Sequence, residues 1–281
     1  MRKMRFTLLA LSLIAILFSS CRSEFERIRS SGDINQLYSK ALEYYEAEEY
    51  DRAQTLFELV IGAYRGRKEA EEIYFKYAYT FYNTGRYILA AYYFKNFSNT
   101  YTTSDYREEA DFMHAECYYQ LSPSYRLDQS SSQKAIDAFQ LFVNTYPQSD
   151  RVATCNKMMD ELRAKLEKKA FSVAELYFDL RQYQSAMHEY ENVLKDFPET
   201  RDTERIRYMI IRAGYELAKN SVVDKQEERY REVTKLSEEF ISRYNSSTFV
   251  EEVRDYLEES KIQLNKVTNV GYQNQGARNR S

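Results

Sequence analysis

Between residues 171 and 198 the apolar positions fall at three- and four-residue steps, first Phe171, Ala174, Tyr177 and Phe178, then Ala186, Tyr190, Val193, Leu194 and Phe197. That is the period of one helix face. The polar stretch 179–182 divides the two runs, and Pro198 stops the second, since it has no amide hydrogen and its ring clashes with the preceding turn. The pattern predicts two helices folded back on each other. Ala174 and Ala186, twelve apart, let the backbones approach while Tyr177 and Tyr190 fill the flanks. A hairpin of this size cannot bury its apolar face alone, so a sequence period is expected around it.

The period is present. An apolar residue, three others and an aromatic end five segments, at 60–65, 97–102, 142–147, 193–198 and 240–245. Seven residues before each first apolar position stand Ala53, Ala90, Ala135 and Ala186, then Val233; four residues later come Phe57, Phe94, Phe139 and Tyr190, then Ser237. Ala41 and Tyr44, Ala78 and Phe81, and Ala174 and Tyr177 mark first helices at one common spacing, with Ala115 and Tyr118 matching them in the third unit. The intervals from Val60 to Phe240 run 37, 45, 51 and 47 residues, so segments are inserted. One excess, residues 121–132, is rich in Ser, Pro and Asp and reads as a loop. Residues 151–178 contain neither Gly nor Pro and predict one unusually long helix.

Four alanines at one register, each followed four on by an aromatic, resemble the tetratricopeptide repeat. The resemblance implies an all-α fold, a right-handed superhelix of about five helical hairpins. The repeats fall at about 35–66, 71–102, 108–147, 151–198 and 203–245, inside a domain of residues 33–264. Phe249, Val253, Tyr256, Leu257 and Leu264 suit a helix at 247–264 that covers the open end of the stack. Residues 265–281 carry no periodic apolar face and read as a disordered tail.

At the other end Arg2, Lys3 and Arg5 precede an apolar run, 6–18, that is too short to span a bilayer, and Ser19, Ser20 and Cys21 follow. Residues 1–20 therefore read as a secretory signal. The segment is similar to bacterial lipoprotein signals, with Cys21 as the lipid-bearing first residue and 21–32 as a tether. Three acyl chains, as lipoproteins generally carry, would hold it stably, because one chain binds only marginally. Arg22 in place of Asp matches the sorting pattern for the outer membrane. An ordinary signal followed by an incidental cysteine is the alternative.

Removing Arg2, Lys3 and Arg5 with the signal takes the formal net charge from −3 to −6. An acidic mature chain argues against general nucleic-acid binding, which needs a basic surface to displace counterions from phosphate.

Chemistry is sparse. His114 and His188 lie on helices of different repeats, and neither sits in a metal-ligand spacing. Cys117 and Cys155 fall inside helices, where they either pair in an oxidising compartment or pack as small hydrophobes. Gly62, Gly66 and Lys68 have the wrong spacing for a phosphate loop. The acids Glu46, Glu48, Glu49 and Asp51 follow a turn. No constellation for catalysis, a metal or a cofactor emerges.

Tyrosine is the unusual feature, with 27 copies and no Trp. About half occupy aromatic core positions of the repeat. If Ala41, Ala78 and Ala115 face the partner helices, then Tyr38 and Tyr45, Phe75, Tyr79 and Tyr82, and Phe112 and Tyr119 line the inside curve of a superhelix. Such a surface suits an extended peptide or a docking helix.

A lipoprotein signal feeding five such repeats, with one extended helix before the fourth, resembles the BamD family, lipoprotein subunits of the machinery that inserts β-barrel proteins into the bacterial outer membrane. Residues 41–57, 135–149 and above all 168–200 carry the likeness. The resemblance implies a non-catalytic scaffold. Its N-terminal repeats would receive unfolded outer-membrane β-barrel proteins, and its C-terminal repeats, near Arg201, Arg205 and Arg207, would dock the partner BamA and other barrel-assembly subunits. A different periplasmic repeat lipoprotein, coordinating cell-envelope or peptidoglycan enzymes, is the second reading.

Overall fold

Residues 24–278 alternate helix and short turn, as the 3.6-residue apolar period dictates. The computed structural model describes residues 24–278, with side chains through residue 269, and among these residues there is no strand. The signal segment and Cys21 lie outside the described residues. Among them no helix is long and apolar enough to cross a membrane.

Twelve helices follow in order: α1 (Glu24–Arg29), α2 (Ile34–Glu46), α3 (Tyr50–Val60), α4 (Glu69–Asn83), α5 (Tyr87–Thr100), α6 (Arg107–Gln120), α7 (Ser130–Thr145), α8 (Val152–Asp179), α9 (Tyr183–Asp196), α10 (Thr203–Lys219), α11 (Val223–Arg243) and α12 (Val250–Arg278). From α2 onward they pair as α2/α3, α4/α5, α6/α7, α8/α9 and α10/α11. By residue contacts the chain divides into two compact units. One is Met1–Pro123 with Asp128–Leu162, the other Ser124–Leu127 with Arg163–Ser281.

In the first unit each hairpin closes on its alanines. Ala41 with Ala53, Ala78 with Ala90, and Ala115 with Ala135 are fully buried, and Phe57, Phe94, Phe139 and Phe142 fill the space beside them. Each fully buried Phe contributes about 2 kcal/mol of hydrophobic stabilisation. In the second unit the same register recurs at Ala174 and Ala186, where Tyr190, Ile206, Ile211 and Val253 complete the core.

Three of the turns share one backbone device. After α2, α4 and α8 the residue seven beyond the alanine takes a left-handed conformation: Glu48 at φ 59°, Gly85 at φ 73° and Arg181 at φ 59°. Its amide donates to the carbonyl three residues back, and the next amide reaches five back: Glu49 to Tyr44 (2.8 Å), Arg86 to Phe81 (2.8 Å) and Gln182 to Tyr177 (2.9 Å). This is the paired-bond reversal that satisfies the last helical carbonyls.

The 28-residue α8 is a single helix, uninterrupted because its sequence offers no breaker. The structure departs from the sequence reading at both ends. Residues 24–29 are not a free tether: α1 packs down through Ile28, which is 3% exposed, and through Phe25, whose ring meets Tyr44 edge-on at 5.8 Å. At the other end α12 continues past residue 264 to Arg278, where composition alone pointed to an unstructured tail. Val250, Val253 and Leu257 anchor its start, and once a helix is docked each further residue adds a backbone bond at little cost.

Candidate functional site

In the first unit, α2, α4 and α6 carry the aromatic residues singled out in the sequence. Phe75 and Phe112 stand three residues before Ala78 and Ala115, and Tyr82 and Tyr119 four after, so all share the ridge of the buried alanine. A ridge that close to the crossing point is half enclosed. Phe75 and Phe112 go further inward, each 8% exposed. Phe75 stacks on Tyr106 at 4.7 Å and touches Phe97, and Phe112 meets Phe142 at 5.8 Å. These two support the surface from beneath and do not line it. Tyr38, Tyr45, Tyr79, Tyr82 and Tyr119 are half-buried and do reach it.

The tyrosine hydroxyls are tied from one hairpin to the next. Tyr38 on α2 donates to Glu72 on α4 (3.3 Å), Tyr79 on α4 donates to Glu109 on α6, and Tyr119 on α6 donates to Glu161 on α8 (2.5 Å). Cations cover the neighbouring rings. Lys76 sits 4.4 Å over Tyr45 and 3.1 Å from Glu46, while Arg151 lies 4.5 Å over Phe112 and 3.8 Å from Glu109. Burial and then Glu72 push the Tyr38 phenol up to about 12. For Tyr119 the bond to Glu161 comes first and burial second, again to about 12. Burial raises Tyr45 and Tyr82 to about 12 as well, and drives Tyr79 upward. These phenols are therefore donors at any physiological pH, and the surface offers ring faces edged by carboxylates.

These Glu partners, absent from the sequence reading, sit 34, 30 and 42 residues beyond their tyrosines, about one repeat on. The insertion before α7 blurs that interval.

In the second unit the three arginines do not form one patch. Arg205 on α10 turns toward α8, where it pairs with Glu175 at 2.8 Å and covers the Phe171 ring at 4.5 Å. It lines an open cavity of about 490 Å³ with Phe178, Tyr208, Arg212 and Phe249. Arg207, two residues on and so about 200° around the helix, faces α11 beside Leu236, Phe240 and Tyr244. Arg201 is exposed in the turn before α10.

His114 is half-buried with Nδ1 2.9 Å from the Ala91 carbonyl, and burial lowers its pKa, whereas His188 is exposed. Cys117 and Cys155 are free and buried. Burial pushes the Cys155 thiol up to about 11 and the Cys117 thiol higher, so both stay protonated and pack as small hydrophobes. Among the described residues no cluster of His, Cys, Asp and Glu is arranged to hold a metal ion.

Stacked helical hairpins that present an aromatic face, with ordered carboxylates at its edge, define a repeat protein of the tetratricopeptide type. The family model for YfiO, outer membrane lipoprotein, matches residues 30–229, and the chain belongs to that family. A putative outer membrane protein assembly factor BamD from Aquifex aeolicus (strain VF5) is 25% identical over 259 residues, covering 91% of this chain and 78% of that protein. Among solved structures, the P58(IPK) tetratricopeptide domain is 18% identical with a TM-score of 0.40, covering 89% of this chain and 72% of that one. The TPR2AB domain of yeast Sti1 is 13% identical, also with a TM-score of 0.40, covering 83% and 100%.

Proposed function

We propose that this chain is a non-catalytic scaffold in the assembly of outer-membrane β-barrel proteins, held at the periplasmic face of the outer membrane by a lipid on Cys21. The tyrosine face of α2, α4 and α6 receives unfolded barrel segments, and the second unit docks the BamA subunit through the α8/α10 side that carries Arg205. Membership of the outer-membrane lipoprotein family and the similarity to the Aquifex putative outer membrane protein assembly factor support the assembly role. The single observation that carries the receiving site is the recurrence of half-buried Tyr45, Tyr82 and Tyr119, one per hairpin, each four residues beyond a fully buried alanine. Rigid rings with a polar tip bind varied apolar side chains at small entropic cost.

Photocrosslinking residues placed at 45, 82 and 119 in living cells test the reading. Captured barrel precursors are the expected result. Tyr→Ala substitutions at all three positions that leave the fold intact and precursor binding unchanged would overturn it.

A further inference from the structure

Glu116 stands on the ridge of α6 that carries Tyr119, one residue beyond the crossing Ala115 and one helical turn before the tyrosine. It is 8% exposed, and among the described residues it is the one charged side chain that is buried. The Gln120 amide donates to its Oε1 at 2.8 Å, while its Oε2 is enclosed without a hydrogen-bond partner. The carboxylate lies among the rings of the receiving face. After burial, it is the leading cause that raises the Tyr82 phenol on α4, and it adds to the rise of Tyr119 behind Glu161 and burial.

The carboxylates that accept from the tyrosines of this face each have a cation. Glu72, bonded by Tyr38, has Lys76 at 3.9 Å, and Glu109, bonded by Tyr79, has Arg151 at 3.8 Å. Glu161, bonded by Tyr119, has Lys157 at 4.0 Å. Glu116 has a neutral amide instead, and among the described residues no cation pairs with it. A carboxylate taken out of water without an opposite charge costs free energy, which a pairing cation offsets. Three acids of the face are therefore complete, and the most deeply set one is not.

We propose that Glu116 determines the specificity of the receiving face: its Oε2 takes the ammonium of a lysine, or the guanidinium of an arginine, from the bound segment, beside the rings of Tyr82 and Tyr119. The inference deepens the receiving role proposed above for α2, α4 and α6 and rests on it. Entry of the cation displaces the half-buried Tyr82 ring next to the enclosed oxygen, and aromatic faces then favour the charge. A long methylene stem suits this path, because it lies along apolar surface while its head alone is polar. An acid at the same place in the segment would meet Glu116 as like charge to like, so the site rejects as well as selects.

The test titrates the full chain with fluorescent, acetylated and amidated nonapeptides in which apolar and polar residues alternate and the central residue alone varies. Lys or Arg at the centre should bind about tenfold more tightly than norleucine, the scale of one charge-assisted hydrogen bond, and Glu more weakly than norleucine. In Glu116→Gln the Lys peptide should fall to the norleucine level. A second comparison needs no variant. Diaminopropionic acid, whose ammonium sits one carbon from the backbone, should lose the advantage of Lys, because it reaches acids at the rim but not one set beneath the rings. A Lys advantage that survives Glu116→Gln in a folded chain, or a diaminopropionate peptide as tight as the Lys peptide, overturns the proposal. Equal binding of the Lys and norleucine peptides also overturns it while leaving the receiving face in place. If no peptide of the set binds, the receiving face itself fails, and the role of Glu116 with it.

Discussion

Gly214 on α10 lies directly beneath Val233 on α11: a Cβ added at Gly214 would come within 3.2 Å of Val233 Cγ2. In the four earlier hairpins an alanine occupies the crossing position on each of the two helices. Here the second-helix residue has grown to valine and takes the room that the glycine leaves, so the fifth hairpin keeps its close crossing by shrinking the first-helix residue from alanine to glycine. Met187 also borders the site at 3.4 Å, but its flexible end can shift where a branched valine cannot.

Gly214→Ala is therefore expected to destabilise the protein by about 1 kcal/mol. The gain of up to about 1 kcal/mol in helix propensity is outweighed by overpacking that costs about 1 to 3 kcal/mol. Adding Val233→Ala should recover part of the loss in a denaturant titration, and additive losses would show that the two residues do not share the space.

The turn residues offer a second test. Nothing lies within 4 Å of a Cβ at Gly85, so Gly85→Ala meets no clash and its cost, about 1 to 2 kcal/mol, comes from the left-handed backbone alone. Arg181→Gly, at the same register with φ 59°, should have the opposite sign and smaller size. Thermal unfolding of both variants reads the two directions.

Ser237 is fully buried on α11 and its hydroxyl has no hydrogen-bond partner. Ser237→Ala should stabilise the protein by about 1 kcal/mol, since it removes an uncompensated buried polar group and leaves almost no cavity. A loss of stability would mean that the hydroxyl is satisfied.

The tyrosine face sets the alkaline limit. Free tyrosine titrates near pH 10, whereas Tyr38, Tyr45, Tyr82 and Tyr119 are each raised to about 12. The unfolded chain releases these protons first, so their contribution to stability is complete below pH 10 and is lost as pH rises to 12. Phenolate absorbance followed with circular dichroism should show ionisation coinciding with unfolding, and Tyr119→Phe should reduce the slope of stability against pH.

How far the sequence can be read is clearest from particular residues. The crossing alanines were visible because a steric need repeats at a fixed register, and α8 because a run with neither glycine nor proline has nothing to stop it. The docking of α1 was hidden, since six mostly charged residues are too few for a period and only Ile28 and Phe25 turn inward. The Tyr to Glu ties were hidden for another reason: they join neighbouring hairpins, and the insertion between α6 and α7 changes the interval. Proximity in sequence groups Arg205 with Arg207, although two residues on a helix point to nearly opposite sides. The compensation by Gly214 is invisible in the repeat register, which reaches the fifth copy only through Val233 and Ser237 on one helix.

The left-handed residues after α2, α4 and α8 are a glutamate, a glycine and an arginine, although the backbone there is the same. Two main-chain bonds suffice to reverse the chain, so the side chains at these tips are spare. The first hairpin spends its tip on acids and the second on a cation and an isoleucine, which lets one architecture carry a different chemical label on every corner without altering how it stands.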